Sequence, residues 1–153
     1  MISQKTMANY HLVILKKPYL EAILGGRKTI ESRLSKTRHS PFGRVWAGDT
    51  LWLKESSGLV CATARAAAVK KYENLTPEQI TGLKERYNDQ IKGSDEYWQG
   101  KMGCKFAFLV WLEDVKSIEP VRINKKDWRA WVVLTEGKNF GLLKTKCTKK
   151  HTI

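Results

Sequence analysis

The chain lacks any apolar run that approaches the roughly 20 residues needed to cross a bilayer as a helix. Its N-terminus, MISQKTMANYHLVILKK, also lacks the order of a secretory signal peptide, because the apolar segment is short and no small-residue cleavage site follows it. We therefore expect a protein without a membrane partner that resides in the cytoplasm, or in the nucleus if the organism is eukaryotic.

Cysteine is scarce as well. Cys61, Cys104 and Cys147 are odd in number and have no CxxC spacing, and the first two lie in apolar, strand-like runs. Their expected role is therefore that of small buried hydrophobic residues, rather than a disulfide or a metal site. The histidines are scattered, and none pairs with a cysteine at the spacing of a zinc site. The sequence predicts no metal and no cofactor.

Acidic residues are few beside the basic ones: 15 Asp and Glu stand against 28 Lys and Arg, which gives a net charge of +13. Such an excess favours a polyanionic partner, most often nucleic acid. The alternative is a basic surface that serves only solubility. After Glu136 the chain has five lysines and no acid, so we expect one domain over residues 1–140 and a flexible basic tail over residues 141–153.

Short apolar runs rich in β-branched and aromatic residues predict strands at residues 10–16, 28–34, 50–54, 59–69 and 105–115. A separate edge strand is expected at 117–123, because Pro120 cannot donate to a strand ladder. In the loop before the third strand, Trp46 is expected to anchor on the core.

Helices are predicted after Pro18, from the cap Thr76 to about residue 91, and in a short turn after Ser94. A last short helix is expected to hold Trp128 and Trp131. Strands and helices in this order are typical of an α+β protein.

The most informative segment, PYLEAILGGRKTIESR, joins a short helix to a cluster of charges. Its apolar residues recur at helical spacing, and Gly25 and Gly26 then end the helix because glycine reaches the left-handed conformation without a Cβ penalty. Four ionisable residues follow within seven positions, on what the pattern predicts to be a short strand: Arg27, Lys28, Glu31 and Arg33.

This segment resembles the ASCH domain family (activating signal cointegrator homology), a branch of the PUA-like fold. The shared pattern is Pro-aromatic followed by Gly-x-Lys-x-x-Glu-x-Arg, here Pro18-Tyr19 and then Gly26-Arg27-Lys28-Thr29-Ile30-Glu31-Ser32-Arg33. Gly48-Asp49 precedes a strand as the family would require, and the resemblance covers roughly residues 10–115. It implies a small bent β-barrel with flanking helices, and a cleft at whose mouth the charged residues lie.

The charged residues themselves favour an anionic ligand. Glu31 and Arg33 are two apart on a strand and share a face, and Lys28 can converge on that face from the side. The three supply a point cation, a planar fork of donors and an acceptor, which suit a phosphate together with a base edge. The alternative is a structural ion pair, Glu31 with Arg33 or with Lys28, that closes the end of the sheet.

We therefore predict a site for RNA or single-stranded DNA that could read a modified nucleotide, with aromatic side chains as stacking platforms. Trp52, Trp111 and Trp128 are expected in the core, whereas Tyr19 and Trp98 are expected as platforms. The predicted nucleic-acid-binding residues are Tyr19, Arg27, Lys28, Glu31, Arg33, Arg38, Arg44 and Trp98.

The resemblance also implies a hydrolase as the alternative. Some ASCH members are similar to small amidohydrolases that act on an acylated cytidine with a lysine, a threonine three positions later and a carboxylate from a helix. Lys28 matches the lysine, Glu31 occupies the place of the threonine, and Glu85 could supply the acid or form only a surface ion pair. Glu31 could act as a general base if burial raised its pKa, and with a neighbouring cation it could serve a metal-independent ribonuclease. If the protein is an enzyme, Lys28 and Glu31 are the predicted catalytic residues.

Overall fold

The computed structural model describes residues 9–124, 129–135 and 139–142 of the chain. In this part, strands and helices follow one another as in an α+β protein, which confirms the predicted class. The elements, in chain order, are β1 (Tyr10–Leu15), α1 (Lys17–Leu24), β2 (Ile30–Ser35), β3 (Thr50–Glu55), β4 (Val60–Tyr72), α2 (Pro77–Ile91), α3 (Asp95–Gly100), β5 (Phe106–Val121) and β6 (Trp131–Leu134).

The six strands form one sheet with the order β2–β5–β4–β3–β1–β6. Neighbouring strands are antiparallel, except that β1 and β3 run parallel. The two longest strands, β4 and β5, pair with register shifts at three places, and Asp114 in β5 has a φ of +56°. Such bulges bend a sheet. The sheet is curled into a half-barrel, which confirms the bent barrel that the resemblance implied.

Helix α1 packs on one face of the curled sheet. Pro18 lies in its first turn, where the missing N–H removes no helical hydrogen bond. Leu20 and Ile23 are buried in the same core cluster as Phe108 of β5. The helix ends at the paired glycines, and Gly26 has a φ of +79°, a conformation that glycine adopts without strain.

Helices α2 and α3 pack on the other face, over β2 and β5. The predicted capping box begins α2: the Gln79 N–H donates to Thr76 Oγ1 at 3.2 Å, and the Thr76 N–H donates to Gln79 Oε1 at 2.9 Å. The apolar face of α2 packs with Leu109, whereas α1 packs with Phe108. Because adjacent strand residues point to opposite faces, β5 is sandwiched between the two helical layers.

A buried polar group joins three distant parts of the chain. His11 Nδ1 accepts the indole N–H of Trp131 at 3.0 Å, so Nε2 carries the ring proton and donates it to Asp49 Oδ2 at 2.9 Å. The Asp49 carboxylate also accepts the backbone N–H groups of Asn9 and Trp46. These contacts hold β1, β6 and the turn before β3 together.

Two predictions near the C-terminus are wrong: the separate strand at 117–123 and the placement of Trp131 in a helix. Residues 117–123 do not form a separate strand, because β5 continues through them to its end at Val121. Pro120 is tolerated there because this half of β5 has β4 as its neighbour and lies beyond the pairing with β2. Trp131 lies in β6, paired with Val13 of β1, rather than in a helix.

The burial of the tryptophans agrees with the prediction only in part. Trp52 is buried as expected, and Trp111 is half-buried, whereas Trp128 lies outside the described residues. Trp46 is 61% exposed and is not a core anchor, because Phe42 and Val45 of the same loop fill the core instead.

Packing continues past the predicted start of the tail at residue 141. Leu142 is fully buried in a cluster with Leu12 and Trp52. Residues 143–153, the remainder of the predicted tail, lie outside the described residues. Among the helices that are described, none is both long and apolar enough to span a membrane.

Candidate functional site

Lys28 is fixed between the ends of two helices. Past the glycines that end α1, the backbone N–H groups of Arg27 and Lys28 both donate to the carbonyl of Ala22. The next residue, Thr29, donates its N–H to the carbonyl of Gln90, near the end of α2. Because α1 ends at the paired glycines and the chain then turns, the Lys28 side chain lies in the protein interior, where it is only 3% exposed.

The ammonium group of Lys28 has an acceptor for each of its three protons. Its Nζ lies 2.8 Å from the carbonyl oxygen of Ile30, 2.7 Å from that of Ile91 and 3.2 Å from Glu31 Oε1. Burial lowers the pKa of Lys28, and the charge of Glu31 opposes that shift. The three acceptors favour the protonated form, in which no lone pair is free for nucleophilic attack.

Glu31 is a buried carboxylate between two cations. Its Oε1 faces Lys28, and its Oε2 accepts a hydrogen bond from Arg33 Nε at 2.7 Å. Burial acts to raise the pKa of Glu31, but the charges of Arg33 and Lys28 outweigh it and lower that pKa below its ordinary value. A general base would need a raised pKa at this position, so the condition for that role is not met.

Arg33 bridges the open side of the half-barrel. Its strand, β2, is one edge of the sheet, yet Arg33 Nη2 donates to the carbonyl oxygen of Ile14 in β1 at 3.0 Å. Its guanidinium also lies over the ring of Trp131, in the opposite edge strand β6, at 5.2 Å from the ring centroid. The charged fork thus connects the two edges of the sheet, with 22% of its side chain exposed.

A small pocket lies beside the cluster of Lys28, Glu31 and Arg33, which we call the KER cluster. Its volume is about 30 Å³, room for about two water molecules. The lining residues are Tyr19, Lys28, Glu31, Ser32, Ile91, Gly93 and Tyr97. The pocket is therefore too small, in this structure, to admit a nucleobase.

Two tyrosines wall in this pocket. The rings of Tyr19 and Tyr97 meet edge to face, 6.3 Å between centroids, and Lys28 Nζ lies 5.3 Å from the Tyr19 ring. The Tyr97 hydroxyl is 2.7 Å from Ser32 Oγ and donates to the Ser32 carbonyl oxygen at 3.2 Å. Burial raises the pKa of Tyr97 well above its ordinary value, so its hydroxyl stays protonated.

The predicted site residues separate into three groups. Lys28, Glu31 and Arg33 converge as predicted, and the ion pairs of the structural alternative are present among them. Tyr19 covers the cluster, and Arg27 lies exposed next to it. Arg38 and Arg44 are exposed in the loop before β3, where Arg38 pairs with Glu73, the residue after β4, and they are not among the pocket residues. Glu85, the candidate acid on α2, is exposed and also lies outside the pocket.

Trp98 is wrong as a stacking platform. It is 1% exposed, packs in the core under α2, and donates its indole N–H to Asn88 Oδ1 at 2.9 Å. Gly93 permits this packing, because a Cβ at that position would lie 2.8 Å from the Trp98 Nε1. The cap Ser94 pointed to a turn at the surface, but the short helix that it begins turns Trp98 inward.

Sequence reasoning missed several residues of the site. Tyr97 and Ser32 line the pocket, and Ile91 supplies a carbonyl to Lys28 from 63 positions along the chain. Two further cations lie at the rim: Lys92 separates two lining residues, and Lys101 Nζ is 5.3 Å from the Tyr97 ring. The ends of α2 and α3 were visible in the sequence, but nothing local indicated that they meet at Lys28.

A curled sheet between two helical layers, with a buried Lys–Glu–Arg cluster at its edge strand, defines a small α+β half-barrel domain. The family model of the ASCH domain matches residues 13–138. Because that match spans most of the chain, the protein belongs to the ASCH domain family. Among the residues described, no group of three or more His, Cys, Asp or Glu could hold a metal ion.

Solved structures carry the same fold. The crystal structure of ASCH from Zymomonas mobilis has a TM-score of 0.66 and 17% identity over 88% of this chain and 94% of that one. A serine-to-alanine mutant of that protein gives a TM-score of 0.67 at 18% identity, again over 88% and 94% of the two chains. At such identities the likeness concerns the fold. A search of curated proteins found no match.

Proposed function

We propose that this ASCH-domain protein binds single-stranded nucleic acid, RNA or DNA, across the rim of the KER cluster. The observation that carries this proposal is the unbalanced charge there. Glu31 is shared by two cations, and three further cations have no carboxylate within 4 Å among the described residues: Lys92 and Lys101 at the rim, and Arg27, the exposed neighbour of Lys28 in the chain. Unneutralised cations of this kind attract the phosphates of a strand.

The size of the pocket determines how the strand would bind. Because about 30 Å³ does not hold a base, the proposal has phosphates on the rim and no nucleotide inserted beside Lys28. Tyr19, which is half-buried and lines the pocket, is then an aromatic side chain that a base of the strand could contact. The overall charge of +13 and the RNA-binding character of ASCH domains in general support this function.

The test compares the same charge reversal at two positions. Lys92→Glu removes a rim cation, whereas Lys116→Glu changes an exposed lysine in the second half of β5, where it pairs with Asp114. Fluorescence anisotropy with a labelled oligouridylate strand, measured over a series of salt concentrations, reports affinity and its salt dependence. Lys92→Glu should weaken binding several-fold and reduce the slope of log K against log salt by about 0.7.

The control should retain both the affinity and the salt slope of the wild-type protein to within experimental error. Equal losses in the two variants would indicate attraction by net charge alone and would contradict a site at the rim. The absence of any binding to RNA or single-stranded DNA at moderate salt would overturn the proposed function itself.

Hydrolysis is the second candidate, and one observation favours it. Burial lowers the pKa of Lys28 beside a pocket that has room for water. The hydrogen bonds of its ammonium group oppose this role, since all three protons have acceptors. Incubation with RNA in the presence of a chelator, and separately with an N4-acylated cytidine, tests both reactions. Turnover by the wild-type protein that is lost in both Lys28→Met and Glu31→Gln would support a hydrolase. The absence of turnover on either substrate would exclude both reactions.

A further inference from the structure

A second and much larger pocket lies between the end of β4 and α2. Its volume is about 370 Å³, within the range of pockets that hold small molecules. The lining residues are Lys70, Tyr72, Leu75, Gln79, Gly82, Leu83, Arg86 and Tyr87. None of them lines the pocket of the KER cluster, so this Tyr72–Tyr87 pocket is a separate site.

The charged residues of this pocket are all cations. Lys70 and Arg86 are exposed, and neither has a carboxylate within 4 Å among the described residues. Each lies over a tyrosine of the pocket: Lys70 Nζ is 5.9 Å from the Tyr72 ring centroid, and the Arg86 guanidinium carbon is 5.5 Å from that of Tyr87. An anionic ligand could accept hydrogen bonds from two cationic side chains, and no acidic side chain of the pocket lining would repel it.

The remaining walls offer flat apolar surface and neutral donors. Tyr87 is held in place by an edge contact with Trp111, 5.5 Å between ring centroids. Burial and the neighbouring Tyr87, which shares a hydrogen bond with Tyr72, raise the pKa of Tyr72 to about 12, so its hydroxyl remains neutral. Gln79 uses its Oε1 in the helix cap, which leaves its amide N–H groups as donors.

Gly82, which lines the Tyr72–Tyr87 pocket, is a second observation that favours an open binding space between β4 and α2. Glycine in the interior of a helix is less favourable than alanine, yet Gly82 stands in the middle of α2. A Cβ at this position would meet no atom within 4 Å, so the packing of the protein does not require glycine. Gly82 lines the pocket, and its missing side chain leaves that wall open.

We infer that the Tyr72–Tyr87 pocket binds a nucleotide unit, with the base against a tyrosine ring and the phosphate at Lys70 and Arg86. Aromatic faces stack on any base, and paired cations bind phosphate. The unit belongs either to a free nucleotide or to a nucleic acid strand. This site lies beyond the rim of the proposed function and requires none of the rim residues.

The probes are adenosine 5′-monophosphate (AMP), adenosine, inorganic phosphate and an oligoadenylate strand, each titrated against the full-length protein. Two-dimensional NMR follows the backbone amide of Gly82, and calorimetry gives the affinity. We expect AMP to shift the Gly82 amide and to bind more tightly than adenosine or phosphate. Replacement of Arg86 by Gln should weaken AMP binding by about tenfold or more, the loss of one charge-assisted hydrogen bond.

A variant that fills the pocket tests the geometry without threatening the fold. Gly82→Leu places a side chain in the open space and favours the helix, so it should abolish AMP binding while the melting temperature is retained or raised. Gly100→Leu is the matched control, because a Cβ there also meets nothing within 4 Å, at the end of α3 and outside the pocket. It should bind AMP like the wild-type protein.

The outcomes separate this inference from the proposed function. Lys92→Glu should leave AMP binding unchanged while it weakens the binding of the nucleic acid strand. If the strand competes with AMP, the pocket serves nucleic acid; if AMP binds and the strand does not compete, it serves a free nucleotide. Failure of every probe to shift the Gly82 amide, or unchanged AMP binding by Gly82→Leu, would overturn the inference whatever happens at the rim.

Discussion

Lys28, Glu31 and Arg33 are charged residues in the protein interior, where burial of a charge is unfavourable because the charge loses hydration. Each loses most of its hydration, and the loss is offset because Glu31 pairs with both cations and backbone carbonyls accept further hydrogen bonds from Lys28 and Arg33. Removal of one member leaves the others buried without a full set of partners. The cluster is therefore a sensitive structural unit whether or not its rim also binds a ligand.

We predict that acid destabilises the protein in part through Glu31. Because its folded pKa is lowered below the ordinary 4.5, the ionised form stabilises the fold above pH 4.5, and this contribution is lost as the pH falls through the folded pKa. Glu31→Gln should cost about 3 kcal/mol at neutral pH, since two buried cations lose their carboxylate. Urea unfolding from neutral pH down to pH 3 should show this cost shrinking by on the order of 1 kcal/mol per pH unit below 4.5.

The exposed residue Glu119, in the second half of β5, serves as the comparison for Glu31. Glu119→Gln should follow the wild-type stability curve over the whole pH range. A cost of Glu31→Gln that stays constant from neutral to acid pH would contradict the prediction.

The helices illustrate what local sequence decides at the scale of an element. The paired glycines end α1 and thereby set the position at which Lys28 enters the interior. The box of Thr76 and Gln79 begins α2 and so sets which of its residues face β5. Both signals act within a few residues and could be recognised without the fold.

We predict that loss of the α2 cap destabilises the protein measurably. Thr76→Ala removes the acceptor of the Gln79 N–H and should cost about 1 kcal/mol. Thr81→Ala, at an exposed position inside the same helix, should be neutral or slightly stabilising, because alanine is the better helix former. Thermal unfolding followed by circular dichroism measures both, and equal melting temperatures for the two variants would contradict the role of the cap.

At the scale of the whole molecule, the side chain of Arg33 connects the two edge strands of the half-barrel. Arg33 leaves one edge strand to reach the carbonyl of Ile14 and the ring of Trp131. Such a connection depends on the planar fork of arginine, which can bond two acceptors and stack at the same time.

We therefore predict that Arg33→Lys destabilises the fold although the charge is kept. The lysine cannot make both hydrogen bonds and the ring contact, and the expected cost is about 2–3 kcal/mol. Arg65→Lys is the control, because Arg65 is half exposed and its ion pair with Glu113 should contribute less than about 1 kcal/mol. Urea unfolding monitored by tryptophan fluorescence compares the midpoints, and similar midpoints for the two variants would contradict the bridging role.

The failures of sequence-based prediction also occur at defined scales. The sequence predicts a buried Trp46 and an exposed Trp98, and both predictions are wrong. A tryptophan in a loop or a short helix is not part of a periodic pattern that would reveal whether it faces the core. The sequence predicts a helix at Trp131, because β6 is only four residues long and pairs with a strand some 120 positions earlier. Short elements stabilised by distant pairing leave little local signal.

The order of strands and helices from β1 to the start of β5, the two helix boundaries at Gly26 and Thr76 and the positive charge follow from the sequence alone, because each depends on neighbouring residues or on composition. Tertiary structure alone decided that Ile91 accepts a bond from Lys28, that Arg33 reaches Ile14, and that the KER cluster adjoins only a pocket for water. It also created the Tyr72–Tyr87 pocket, where a strand end meets a helix. These features join residues far apart in the chain, and no local pattern encodes the distance between them.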